Sequence, residues 1–160
     1  MDELVKLNFA RQALMEAKTL DEIRNIRDLA RAVKAFTIAK GLGVEMKNEA
    51  SEIEIRAIRE MGKLIQQKQE SGEVRKDGQS FGNSSCTITE QEKPATLPSI
   101  GVTRKESSTS KNLASIPDNQ FEDLLSEFIE DKKPLTKTAI LRTIAKEKTT
   151  NDVIIPDGIY

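Results

Sequence analysis

Between Thr103 and Lys111 the chain reads "TRKESSTSK", a run of hydroxyls and cations broken by one carboxylate. Short hydroxyl side chains let a helix approach phosphate oxygens closely and bond to them. Arg and Lys reach phosphates or guanine edges. On that chemistry the candidate contacts to duplex DNA are Thr103, Arg104, Lys105, Ser107, Ser108 and Lys111. Gly101 can make the tight turn such a helix needs, because glycine takes positive φ without a Cβ clash, and Thr103 can cap the helix that follows. Leu97 and Ile100 anchor the near side of the turn, Val102 packs beneath it, and Leu113 and Ile116 return to the core. Three features weigh on the other side. Pro98 restricts the first helix to a very short one, or to one that starts there. Ser and Thr are poor formers of mid-helix. Glu106 repels phosphate. A solvated loop or helix face accounts for these residues alone equally well.

Other chemistry is poorly served. The chain has no His, and Cys86 is its single Cys. That removes a His general base, a His/Cys zinc site and an intramolecular disulfide. Cys86 has no basic cluster around it, so it reads as an incidental exposed thiol rather than a redox site, and one free thiol fits a reducing cytosol. "GLG" at 41–43 is too short for a phosphate-cradling loop and lacks the lysine and hydroxyl. Glu45, Glu49, Glu52 and Glu54 suggest a carboxylate metal site, but a helical di-metal site adds Glu-x-x-His pairs. A solvated acidic face that pairs with Arg56 and Arg59 is the simpler expectation. A Ser or Thr nucleophile would lack its usual base. The expectation is a non-enzymatic chain without cofactor or metal.

The elements that must position the candidate contacts follow from composition and periodicity. At 160 residues the chain suits one modest domain or two small ones. With 37% hydrophobic and 4% aromatic residues it suits small helical units better than one large core. Charged residues reach 32%, yet the net charge is −1, so any DNA affinity must come from a local patch rather than a whole-protein field. The opening "MDELVKLNFA" is acidic and has no unbroken apolar run, unlike a signal peptide. No segment approaches the ~20 apolar residues of a membrane span. A soluble, cytoplasmic protein with no membrane partner is expected.

Residues 1–70 read as a helical hairpin or coiled coil. Leu4, Leu7, Met15 and nearby Ala residues share one face. "TLDE" at 19–22 offers a capping box between Thr19 and Glu22. Leu20, Ile23, Ile26, Ala30 and Val33 form one stripe, and Met46, Ala50, Ile53, Ala57, Met61 and Leu64 a second. Gly41 and Gly43 interrupt between them, each able to take the left-handed conformation that ends a helix. The two stripes bury each other in an antiparallel hairpin or pair with a second chain, which makes this region the expected site of homo-oligomer or partner contact. Arg24, Arg27, Arg31 and Lys34 share a face; pairing within the chain or solvation is favoured over gripping phosphates. Residues 71–95 are rich in Gly, Ser, Asn and charge and read as a flexible polar linker. Residues 96–148 form a small helix-turn-helix-like bundle. Pro117 starts a helix with Phe121, Leu124, Leu125, Phe128 and Ile129 on its apolar face. A last helix restarts at Pro134 and Thr136 and packs through Leu135, Ala139, Ile140 and Ile144. Residues 149–160 are a tail expected to fray. The fold class is all-α.

The order "SIGVTRKESSTSKNLASIPDNQFEDLL" then "PLTKTAILRTI" resembles the helix-turn-helix domain of ParB-type partition proteins. There a Leu-Gly-x-Ser turn, a polar second helix, a Leu-Pro boundary and an acidic amphipathic helix occupy the same places. The place of a histidine in the last helix holds Thr138. The nucleotide-binding domain of those proteins has no counterpart, so the resemblance implies neither partition activity nor nucleotide hydrolysis. More broadly, "TLDEIRNIRDLARAVKAF" and "NEASEIEIRAIREMGKLI", followed by a polar linker and the same C-terminal order, resemble small phage and prophage proteins. The arrangement also stands ahead of some phage adenine-methyltransferase domains, whose Asp-Pro-Pro-Tyr motif is missing here. The resemblance implies a DNA-binding accessory or regulatory protein of a phage, prophage or plasmid. The alternative is a protein-interaction adaptor or inhibitor acting through the N-terminal coiled coil.

Overall fold

The Thr19–Glu22 capping box forms. Thr19 Oγ1 accepts from the Glu22 amide at 3.3 Å, and the Glu22 carboxylate accepts from the Thr19 amide at 3.1 Å. It separates α1 (Glu3–Glu16) from α2 (Leu20–Ala39). The computed structural model describes residues 2–76 and 95–152, with side chains as far as residue 149. Cys86, most of the segment expected to be a linker and the larger part of the expected tail lie outside the described residues, while α6 runs on into the tail as far as Asp152. Gly41, at φ +64°, ends α2 by letting the Leu42 amide turn back onto the Thr37 carbonyl at 2.9 Å. Gly43 keeps φ −59° and starts α3 (Val44–Glu70), so Gly41 alone of the two takes the left-handed form.

The stripe on α2 is buried throughout. Leu20 and Ile23 meet Ala57, Met61 and Ile65 of α3. Ile26, Ala30 and Val33 meet Ala50 and Ile53, with Leu7 and Ala10 of α1 completing that core. Early residues of α2 thus face late residues of α3, and the two helices run antiparallel. Leu4 and Met15 do not join the α1 face assigned to them. They are 41% and 86% exposed, Leu4 in the first turn of α1 and Met15 in its last.

Helix α3 carries a second stripe that a single-face reading overlooks. Ile55 and Ile58 pack with residues of α4 (Arg104–Ala114), α5 (Asp118–Glu130) and α6 (Lys137–Asp152): Leu113, Phe121, Leu124, Leu125, Ile140 and Ile144. α3 is therefore sheathed on two sides, with α1 and α2 on one and the C-terminal helices on the other. Pro117 precedes α5 as expected, but Ile129 is 43% exposed and stands off its apolar face. Thr136 Oγ1 caps α6 by accepting from the Ala139 amide at 3.1 Å. Asn48 of α3, buried, donates from Nδ2 to the Lys133 carbonyl and accepts at Oδ1 from the Leu135 amide, both at 2.9 Å. It ties the α5–α6 connection to the central helix and satisfies backbone groups that burial would otherwise strand.

The chain at 73–75 meets Ala95. The Arg75 amide donates to the Ala95 carbonyl and the Ala95 amide to the Glu73 carbonyl, each at 2.8 Å. Val74 is buried with Leu97 and Val102. The described ends of the segment expected to be a linker are thus held side by side. Among the described residues no helix is long and apolar enough to cross a membrane.

α4 crosses α3 at Gly62. A Cβ at residue 62 would lie 2.0 Å from the Ser110 carbonyl oxygen, a backbone atom that has no rotamer to yield. Gly62→Ala therefore trades a gain of about 1 kcal/mol in helix propensity against a steric clash. A net loss of about 1–3 kcal/mol is expected, measured as a lower urea midpoint at unchanged slope. An unchanged or raised midpoint would mean that α4 does not lie that close.

Candidate nucleic-acid interface

The turn that presents α4 is built as its residues dictate. Among the described residues, what precedes it is one 3-10 turn, Pro98–Ile100, with Pro98 where a missing N–H costs nothing. Thr96 and Ser99 exchange bonds across it, the Ser99 hydroxyl accepting from the Thr96 amide at 3.0 Å and donating to the Thr96 carbonyl at 2.7 Å. Gly101 then takes φ +75°. Leu97 and Val102 are buried beneath. A full first α-helix is thus reduced here to one turn, and the element that backs α4 is α3.

Thr103 caps α4 through a second capping box. Its Oγ1 accepts from the Glu106 amide at 3.1 Å, and its own amide donates to Glu106 Oε2 at 3.0 Å. The other carboxylate oxygen, Oε1, lies 3.3 Å from Nη1 of Arg27 on α2. The Thr103 amide above all, then its hydroxyl and the Arg27 and Arg31 charges, hold the Glu106 carboxyl below the usual glutamate range, with burial opposing them. The acid that would repel phosphate is thereby turned onto the cap and onto α2.

The six candidate contacts divide by helix phase. Arg104, Ser108 and Lys111 stand at i, i+4 and i+7, a single stripe. Arg104, Lys105 and Ser108 are exposed, and Lys111 is half-buried. Thr103 is exposed at the helix start, but its hydroxyl serves the cap. Ser107 does not belong with them. It is fully buried beside Ser110 and Leu113 on the inner face, so its hydroxyl is not presented to any outside ligand. A run of serines looks uniform in sequence; a turn of about 100° per residue sorts it between two faces.

The stripe on α2 pairs within the chain. Arg24 lies 3.5 Å from Asp21, Arg27 2.9 Å from Asp28, Arg31 2.9 Å from Glu54 and Lys34 3.6 Å from the same carboxylate. Glu54 is thus a buried partner of α2 rather than part of a solvated face. Glu52 pairs with Arg56 at 2.9 Å, as its spacing suggests. Arg59 goes elsewhere. Buried, it donates to the carbonyls of Leu113 and Ile116 at 3.3 and 2.7 Å and to Asp118 at 2.6 Å, and it stacks 4.5 Å from the centre of the Phe121 ring. Nothing in its own helix signals this role.

Beside the start of α4 lies a cleft of about 420 Å³ between α2, α3, α4 and α6. Arg27, Arg31, Lys105 and Lys137 line it, and Glu106 is the one carboxylate among its described lining residues. Lys137 was outside the candidate set because it belongs to a different helix, far along the chain.

The Thr103–Glu106–Arg27 link has a pH signature. A depressed carboxyl stabilises the fold above its unfolded pKa, and that contribution drains away as pH falls through the lower folded value. Glu106→Gln should cost about 0.5–1 kcal/mol at neutral pH, a low figure because the side chain is 35% exposed and solvent screens the pair. The gap to the parent should close as pH drops below the ordinary glutamate range. Urea unfolding over a pH series measures it; a gap independent of pH would show that the charge contributes nothing.

No protein-family model, curated protein or solved structure matches this chain.

Proposed function

We propose that this chain is a non-enzymatic DNA-binding accessory or regulatory protein, cytoplasmic, that sets the outer face of α4 against the phosphates of a duplex. One observation carries the reading. Arg104 and Lys105 occupy the first turn of α4 and have no ion-pair partner among the described residues. They sit at the positive end of their own helix dipole, where each cation costs about 0.3–1 kcal/mol. An external anion relieves that cost, and backbone amides at a helix start favour phosphate as well. Ser108 and Lys111 extend the same face, and Glu106 is withdrawn from it. The resemblance to phage and prophage proteins and to the ParB-type domain supports a mobile-element setting.

Binding of the full chain to a labelled duplex across a salt series tests it. Affinity should fall steeply with salt, since each neutralised phosphate releases counterions. Arg104→Ala with Lys105→Ala should flatten the log–log slope by about two, one for each cation removed. A salt-insensitive association, or a double variant with the parent slope, would end this reading.

Exposed apolar side chains on α1 favour a second role for the N-terminal region, contact with another copy of the chain. Phe9 is 67% exposed and Met15 86%, with Val5 at 50% on the same helix. One small basic module binds DNA loosely, and two linked modules gain effective concentration. Light scattering should find an oligomer that Phe9→Asp converts to monomer, and a monomeric parent would refute the contact.

A further inference from the structure

We propose that the cleft between α2, α3, α4 and α6 binds a phosphate group carried on a partly apolar body, the chemistry of a nucleotide. Lys105 comes from the first turn of α4 and Lys137 is the first residue of α6, and both line the cleft. Neither has an ion-pair partner among the described residues. Behind them stand Arg27 and Arg31, oriented by Glu106 and Glu54. Carboxylates offset the two arginines, Asp28 and Glu106 for Arg27 and Glu54 for Arg31, but the two lysine ammonium groups are left without a partner, and an anion between them turns their mutual repulsion into attraction. The positive end of the α6 dipole adds to it.

The rest of the cleft is less polar. Ile58 and Leu141 contribute to its walls and offer a surface for a flat or apolar group, while Thr109 and Thr138 bring hydroxyls that can donate to phosphate oxygens. Its volume of about 420 Å³ falls within the range of about 300–1,000 Å³ that suits small-molecule sites. The same phosphate chemistry has two sources, a free nucleotide and the backbone of bound DNA. Only the second rests on the DNA-binding role argued above.

Calorimetric titration of the full chain with adenosine monophosphate, and separately with adenosine, separates them. Adenosine monophosphate should bind and adenosine should not. Lys137→Ala should weaken binding by about tenfold or more, the loss of a charge-assisted bond. Lys47→Ala, the same charge change outside the cleft, should leave binding as it is. Lys105→Ala gives an independent second variant, and the unfolding midpoint of each variant checks that it is folded. If adenosine monophosphate does not bind but Lys137→Ala flattens the salt slope for duplex DNA by about one, the phosphate is the duplex's own and the cleft assignment stands. If neither is seen, or if adenosine binds as tightly as its monophosphate, the assignment is overturned. Binding of adenosine monophosphate by a chain that ignores duplex DNA would sink the DNA-binding role alone.

Discussion

Helix α4 lies where it does because α3 has no side chain at residue 62. The Ser110 carbonyl occupies the space a Cβ would take, so two helix backbones approach as closely as glycine permits. That approach dictates the composition of the facing surface. Short side chains occupy the inner stripe of α4 around that approach, Ser107 and Ser110, with Leu113 beyond them. The longer cations must then point outward. Arg59 holds the far end: its guanidinium satisfies the carbonyls of Leu113 and Ile116 where α4 ends and meets Asp118 where α5 begins. A buried cation is costly unless all its donors are used, and here they go to backbone and carboxylate together while its flat face rests on Phe121. The exposed face of α4 is thus a consequence of what its hidden face requires.

The charge arrangement follows from the same geometry. Most cations of α2 are consumed by neighbours, Arg31 and Lys34 by Glu54, and Arg27 by Asp28 and Glu106. This fits a chain of net charge −1. Among the cations left without an ion-pair partner, Arg104, Lys105 and Lys137 stand together at the starts of α4 and α6. A uniform excess of positive charge would attract any polyanion at long range; a few unpaired cations in a fixed array act within about a Debye length, roughly 8–10 Å at physiological salt.

Much of this was readable from residue order. The α2 stripe, both ends of the Thr19–Glu22 box, the Gly101 turn with its Thr103 cap, and the buried positions Leu113, Ile116, Phe121 and Ile140 all follow from period and cap chemistry. Such signals are local, set within a turn or two of helix. The readings that went astray needed tertiary partners. Ser107 looks like its exposed neighbour Ser108 until α3 is placed against it. The Ile55 and Ile58 stripe is masked by a stronger one on the same helix. Arg59 has no carboxylate three or four residues away on α3, and its partners, the Leu113 and Ile116 carbonyls and Asp118, lie beyond its own helix. Gly62 was the clearest missed signal, since an isolated glycine inside an apolar helix costs about 1 kcal/mol relative to alanine and calls for a packing reason. Asn48 and the cleft carried no local signal, because each exists only where distant segments meet.

Lys105 belongs to two settings at once, the exposed start of α4 and the lining of the cleft. Glu106, next to it, joins the cap to Arg27, so the helix start and the cleft share one hydrogen-bonded frame. One ammonium cannot neutralise two phosphates as fully as one. On the proposed roles of the two surfaces, an anion that draws Lys105 inward would remove a contact from the outer face, and a duplex that draws it outward would weaken the cleft. Linkage makes the two penalties equal in free energy. The coupling would need no movement of a helix; it would follow from a single side chain placed between the outer face of α4 and a recess.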